Sequence, residues 1–102
     1  MPPQPDQSRL KARVRVPPHV VHRDFGDETV ILNLDSGMYH GLNRTAATML
    51  DALAESDTVD AAVGVLTERF DQPREVIERD LLELCASLSD RGLIEWHDDA
   101  AA

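Results

Sequence analysis

The chain has 102 residues, enough for one domain with a modest core but not for a deep catalytic cavity and a second module. Nineteen acidic residues against ten basic ones give a formal net charge of −9, which repels phosphate backbones and anionic lipid. The single cysteine, Cys85, excludes an intramolecular disulfide, and no apolar run approaches the roughly 18 residues of a membrane span. These features predict a cytoplasmic protein that binds neither nucleic acid nor membrane.

The N-terminal region is predicted to be a flexible segment over residues 1–18. Residues 1–12 contain three prolines and many polar side chains, and Pro17-Pro18 ends the short alternation of Arg13 to Val16. We expect the folded domain over residues 19–97 and a disordered tail over residues 98–102.

Three short strands are predicted to follow as an antiparallel meander. Val30, Leu32 and Leu34 alternate with Ile31 and Asn33, which is the period of a strand. Asp35-Ser36-Gly37 supplies the turn that follows, with Gly37 free to adopt a positive φ. Short connections favour pairing between neighbours in sequence, so the predicted strands form one sheet, at residues 20–25, 28–34 and 37–42.

Three helices are predicted after the sheet. Asn43 is well placed to cap the first, from about residue 44 to 54, Thr58 opens the second, and Pro73 suits the first position of the third. Gly92 is a stop signal for the third helix, and residues 93–96 predict a last extended segment. The expected fold is α+β, a small winged helix-turn-helix-like domain with a three-stranded antiparallel sheet followed by three helices.

The residues that could perform catalysis or hold a metal are not arranged for it. The histidines at positions 19, 22, 40 and 97 form no i, i+4 pair, and Cys85 lies far from them in sequence. Cys85 flanks an apolar helical stripe, where a thiol usually acts as a small hydrophobe. No phosphate-binding or dinucleotide glycine pattern occurs. We therefore expect no enzymatic activity, no metal and no cofactor.

A winged helix raises the question of DNA binding, which the charge of the third helix opposes. A recognition helix needs basic or amide side chains that face a groove. The third helix carries more acidic than basic residues, namely Glu75, Glu78, Asp80, Glu83 and Asp90 against Arg74, Arg79 and Arg91. Contacts to phosphate would be opposed by its own field.

Peptide binding by strand addition fits the remaining features. An extended peptide can pair with an exposed sheet edge while its alternate side chains enter pockets. The predicted pocket is a groove between the strand Met38–Leu42 and the third helix, where Asp80 and Glu83 would attract a basic peptide. The alternative for Tyr39 and Leu84 is a purely structural place in the core.

The order of these segments resembles PqqD-like proteins, the recognition elements that bind leader peptides of ribosomally made, post-translationally modified peptides. The resemblance covers roughly residues 20–96. Its most specific parts are the run SGMYHGLN at residues 36–43 and the run of Asp80, Leu84, Leu88 and Gly92-Leu93-Ile94. It implies a three-stranded sheet, three helices and no catalysis. The standalone length is similar to the discrete leader-binding proteins of lasso peptide clusters.

The resemblance also implies a site and partners. The leader is expected to dock as a fourth strand on the third strand, beside the third helix, before processing by a leader peptidase and a cyclase. We expect proline at His40 to impair docking if its backbone N–H faces outward. Carried over to this sequence, the peptide-binding residues are Met38, Tyr39, His40 and Gly41 on the strand and Asp80, Glu83, Leu84 and Ser87 on the helix.

Two other classes of function stay open at this point. The first is a protein–protein interaction or dimerisation module of winged-helix type, in which the same edge pairs with a second copy. The second is an acidic regulator that associates with DNA only as a dimer or with a basic partner. For the leader-binding function we expect a monomer when the protein is free.

Overall fold

The computed structural model describes residues 7–97 and confirms the predicted α+β fold. A three-stranded antiparallel sheet is followed by three helices, and a short two-stranded sheet closes the domain. A 3-10 turn at Gln7–Lys11 precedes the strands β1 Arg13–Arg15, β2 Val20–Asp24, β3 Glu28–Asn33 and β4 Tyr39–Asn43, the helices α1 Arg44–Glu55, α2 Val59–Phe70 and α3 Arg74–Asp90, and the strand β5 Glu95–His97.

The larger sheet has the order β2-β3-β4, so β2 and β4 are its two edges. Val21 lies opposite Leu32, and Leu32 lies opposite Tyr39. Gly37 has a φ of 77°, a left-handed conformation that favours glycine, in the turn that leads into β4.

The two faces of this sheet differ in burial. The inner face packs on the helices and includes Ile31 and Leu42, which are almost fully buried. The outer face carries apolar side chains that remain partly or largely exposed. Its members, given by the alternation along the three strands and their ends, are Val21, Arg23, Phe25, Glu28, Val30, Leu32, Leu34, Tyr39 and Gly41.

The predicted starts of the first two helices are confirmed by their caps, whereas Pro73, predicted at the first position of the third helix, is the N-cap before Arg74. The Asn43 side chain accepts a hydrogen bond from the Ala46 N–H, and the Thr58 hydroxyl accepts one from the Ala61 N–H. Gly92 follows α3 with a φ of 67°. Within residues 7–97, no helix is long and apolar enough to cross a membrane.

One core joins the inner face of the sheet to all three helices. The i, i+3 and i+4 apolar positions of the helices supply most of it, which is why the periodicity of the sequence predicts the helices well. Its fully buried large side chains are Ile31, Leu42, Leu53, Leu66, Leu81, Leu88, Leu93, Val59, Val63 and Cys85.

Residues 7–15 lie in the region that we expected to be flexible, and the structure gives them defined contacts. β1 pairs antiparallel with β5, so that Val14 lies opposite Trp96, and both Ala12 and Val14 are buried. The Arg9 guanidinium lies 4.3 Å from the centre of the Trp96 ring, within range of a cation–π interaction. Residues 1–6 and the predicted tail at 98–102 lie outside the described residues.

Candidate functional site

The backbone of β4 has one side paired with β3 and one side open. The Asn33 N–H donates to the Met38 carbonyl oxygen over 2.8 Å, which fixes the phase of the ladder. In an antiparallel pair, hydrogen-bonded and non-hydrogen-bonded residue pairs alternate. His40 and Leu42 therefore direct their backbone groups toward β3.

Tyr39 and Gly41 direct their backbone N–H and C=O groups to the opposite side, away from β3. Among the described residues, neither backbone has a hydrogen-bonding partner outside the sheet. This row of donors and acceptors is what an added strand requires. The expected effect of proline at His40 required that its backbone N–H face outward. This N–H instead belongs to the β3–β4 ladder, so the residues whose backbone groups lie on the open edge are Tyr39 and Gly41.

The side chains of the predicted strand residues lie on different faces. Tyr39 is 67% exposed on the outer face, whereas His40 lies on the inner face and is partly buried. Met38 is 48% exposed just before the strand begins. Of the predicted residues within β4, His40 directs its side chain to the side on which the helices pack, and alternation gives Met38, opposite Asn33, the same phase.

The four predicted residues of α3 form one flank of that helix. Asp80, Leu84 and Ser87 are each partly buried, and Glu83 is exposed. They are separated by three or four residues, the spacing that places side chains on one face. No hydrogen bond or ion pair joins this flank to β4 within residues 7–97. We refer to Asp80, Glu83, Leu84 and Ser87 as the α3 flank.

The sheet and α3 are joined where the helix ends. The Asn33 side-chain amide donates to the Gly92 carbonyl oxygen over 3.0 Å. The Asn33 side-chain oxygen accepts from the N–H groups of Asp35 and Ser36 in the turn before β4. Arg91 donates to the Ser87 carbonyl oxygen, so the same end of α3 includes one member of the α3 flank.

Asn33 is a functional candidate that the sequence reasoning missed. It is 6% exposed, the one polar residue in the buried set of the described chain. Buried polar groups need hydrogen-bond partners, so an asparagine within an apolar strand pattern was the available signal. Its position sets both the turn before β4 and the contact with α3.

Glu28 is a second residue that the sequence reasoning missed. A Cβ atom added to Gly41 would lie 2.7 Å from the Glu28 Oε1 atom, so the carboxylate lies over the open edge on the outer face. Glycine at position 41 leaves room for this carboxylate and for another backbone.

Cys85 is not placed for chemistry. The side chain is fully buried, and burial raises the pKa of its thiol from 9.0 to about 12, with the Arg9 charge acting in the opposite direction. A thiol in this state is protonated at neutral pH and a poor nucleophile. Within the described part of the chain, no group of three or more His, Cys, Asp or Glu residues could hold a metal ion.

The fold is similar to that of two solved proteins. The structure titled "TbiB1 in Complex with the TbiA(beta) Leader Peptide" superposes with a TM-score of 0.72 and 27% identity, over 79% of this chain and 94% of that one. The structure titled "Lasso peptide synthetase B1 complexed with the leader peptide" gives 0.72 and 28%, over 81% of this chain and 98% of that one. No curated protein matches significantly.

The family assignment rests on most of the fold described above. The sequence model of Coenzyme PQQ synthesis protein D (PqqD) matches residues 28–94, which run from the start of β3 to the segment before β5. That span is more than half of the 102 residues and includes both β4 and the α3 flank. The chain belongs to the PqqD family.

Proposed function

We propose that this protein binds the leader peptide of a ribosomally made precursor by strand addition at β4. In this proposal the protein is not itself an enzyme and presents the precursor to a leader peptidase and a cyclase. Membership of the PqqD family and the two similar proteins solved with leader peptides support leader binding. The lasso peptide class is favoured because one of those proteins is a lasso peptide synthetase B1, which is similar over 81% of this chain and 98% of its own.

The single observation that carries the proposal is the open edge of β4. Tyr39 and Gly41 direct unpaired backbone groups away from β3, in the phase given by the Asn33–Met38 hydrogen bond. An extended peptide placed there would exchange hydrogen bonds with these two residues, and its alternate side chains would face the outer face and the helices in turn.

The α3 flank would then line the helix side of the bound peptide. Leu84 offers an apolar surface, and Asp80 and Glu83 offer carboxylates that suit a basic leader. The net charge of −9 acts in the same direction over longer range. Peptide ordering costs free energy, so these side-chain contacts must offset that loss.

The consequence of binding would be delivery of the linked core peptide. Holding the leader at one site raises the effective concentration of the core near an enzyme bound to the same protein. An affinity between micromolar and nanomolar, about −8 to −12 kcal/mol, would suffice.

The decisive experiment is a titration of the protein with a fluorescent synthetic leader from the adjacent precursor gene, read by anisotropy. A second series of leaders carries one N-methylated backbone amide each. Strand addition predicts a period of two, in which methylation of amides that face β4 weakens binding and methylation of the intervening amides does not.

The matched control is a folded protein with an altered edge and an intact core, verified by circular dichroism. Saturable binding with the alternating pattern supports the proposal. Binding without any alternation contradicts strand addition, and no binding up to high micromolar concentration contradicts leader recognition. Sedimentation of the free protein tests the proposed monomeric state, since pairing of the β4 edge with a second copy would raise the mass with concentration.

A further inference from the structure

The Glu28 carboxylate lies over Gly41, on the outer face of the sheet and at the open edge of β4. Position 41 has no side chain, and a Cβ atom added there would lie 2.7 Å from the Glu28 Oε1 atom. The carboxylate thus occupies the place that a side chain of β4 would otherwise fill. An acidic group from the central strand β3 therefore reaches the edge strand itself.

Glu28 has no cation beside it. Within residues 7–97, its carboxylate forms no ion pair or hydrogen bond. The outer face does carry a cation, Arg23, which is opposite Val30 on β2. The Glu28 carboxylate lies on the β4 side instead. It is therefore available to a group that arrives at the open edge.

We infer that Glu28 is a specificity-determining residue of the leader site and selects a lysine or arginine at the leader position opposite Gly41. The inference rests on the proposed function and deepens it, because it assigns one leader side chain its chemistry. The contact is a charge-assisted hydrogen bond on the outer face, on the opposite side of the leader strand from the α3 flank.

The register of an added strand brings that leader side chain to the carboxylate. Gly41 directs its N–H and C=O away from β3, so with an antiparallel added strand it forms a hydrogen-bonded pair, with Cα atoms about 5.5 Å apart. The two residues of such a pair direct their side chains to the same face, here the outer face. The leader side chain therefore starts one strand spacing from the Glu28 carboxylate. A charge at the end of a long stem spans that distance, whereas a short polar side chain does not.

Tyr39 supports the same preference from the neighbouring position. It lies two residues before Gly41 on the outer face, and its side chain is 67% exposed. Diagonal neighbours on paired strands lie within reach of aromatic and long side chains. The ring can cover the apolar stem of a lysine or arginine while the charge reaches Glu28. An acidic leader residue at this position is repelled by Glu28 and by the net charge of −9.

The inference fixes the phase of the selected leader residue as well as its charge. Leader residues opposite Tyr39 and Gly41 direct their own N–H groups toward β4. Methylation of the backbone amide of the selected residue should therefore weaken binding. The leader residues between these positions face the helices, so a basic residue there should respond to Asp80 and Glu83 instead.

The test uses the fluorescent leader from the adjacent precursor gene, in a series in which each lysine or arginine in turn is replaced by norleucine. Each peptide is titrated by anisotropy against the wild type and against Glu28→Gln. The matched control is Glu68→Gln, the same change at an exposed position on α2. Glu28 is also exposed, so both variants should fold, and circular dichroism verifies this.

We expect Glu28→Gln to weaken binding of the unmodified leader about threefold to tenfold, and Glu68→Gln to change it less than about twofold. One norleucine leader should bind the wild type and Glu28→Gln equally, and its replaced residue should have a methylation-sensitive amide. A leader with glutamate at that position should bind Glu28→Lys at least about threefold more tightly than the unmodified leader does.

Three results overturn the inference. The first is full affinity of Glu28→Gln for the unmodified leader, and the second is a loss of affinity that every norleucine leader retains. The third is a Glu28-dependent lysine or arginine whose amide tolerates methylation, because that residue cannot be the one opposite Gly41.

The same titrations separate this inference from the proposed function. Saturable leader binding with the alternating methylation pattern, but without any dependence on Glu28, leaves strand addition standing and overturns the inference alone. No binding of the leader to the folded wild type overturns both.

Discussion

Asn33 joins two distant parts of the chain, because its side-chain amide donates to the carbonyl oxygen of Gly92 over 3.0 Å. The other end of the same side chain holds the turn before β4 through Asp35 and Ser36. One buried side chain thus positions the open edge of the sheet relative to the end of α3.

Asn33→Ala is expected to lower the free energy of unfolding by about 1–3 kcal/mol, because it leaves the Gly92 carbonyl and two turn N–H groups without this partner. The measurement is the urea midpoint at constant m-value. Asn33→Asp keeps the acceptor for the turn but places a carboxylate against a carbonyl, so it should also destabilise. An unchanged urea midpoint in both variants would show that the hydrogen bonds of the Asn33 side chain contribute nothing to stability.

Proline at two adjacent positions of β4 should affect two different properties, leader affinity at one position and stability at the other. Tyr39→Pro removes an N–H that faces the open edge, so leader affinity should fall about threefold to tenfold relative to Tyr39→Ala, with similar stability in the two variants. His40→Pro removes an N–H of the β3–β4 ladder and should lower stability by about 1–3 kcal/mol. Anisotropy and thermal unfolding measure the two effects. Equal leader affinity of Tyr39→Pro and Tyr39→Ala contradicts the assigned phase.

Charge reversal on the α3 flank should weaken a basic leader. Asp80→Lys and Glu83→Lys are expected to reduce leader affinity by up to about fivefold each, since exposed charge pairs contribute up to about 1 kcal/mol. The effect should shrink as salt is added. Glu68→Lys on α2 has the same charge change at another exposed position and serves as the control. Salt-independent binding would assign the affinity to apolar contacts.

The buried thiol of Cys85 should make stability depend on alkaline pH. Burial raises the pKa of the folded-state thiol to about 12, against 9.0 for an ordinary thiol. Below pH 9 both states are protonated, and its contribution is constant. Above pH 9 the unfolded thiol ionises first, so stability should fall by about 1.4 kcal/mol per pH unit up to about pH 12. The Cys85→Ala variant should lack this part of the slope in urea titrations, and an identical slope would contradict the assignment.

Local signals explain why the main elements could be predicted from sequence. The predicted helix that begins at residue 44 ends within one residue of the observed α1, because Asn43 and the apolar spacing act over one or two turns. The alternation around Ile31 likewise predicts β3 to within one residue.

The remaining features depend on contacts between distant residues. Each of the segments that form β1 and β5 carries a local signal for extended structure, but nothing in either segment indicates that the two strands pair with each other. The direction of the His40 N–H depends on the hydrogen bond between Asn33 and Met38 across the turn, and a shift of one residue would reverse it. The outer face of the sheet could be identified only from the packing. Apolar residues occur on both faces of the strands, and the sequence does not show which face the helices cover.

The pairing of β1 with β5 also has a consequence for synthesis on the ribosome. β1 is separated in sequence from its partner at Glu95–His97 by the larger sheet and all three helices, so the ribosome makes β1 well before that partner. Val14, which is buried in the finished domain, therefore lacks its opposite residue Trp96 until the segment that follows α3 has emerged. Contacts of such high sequence separation form late and slow folding. The last step of folding should thus follow translation of β5, and a chain stopped before Glu95 should lack the closed two-stranded sheet.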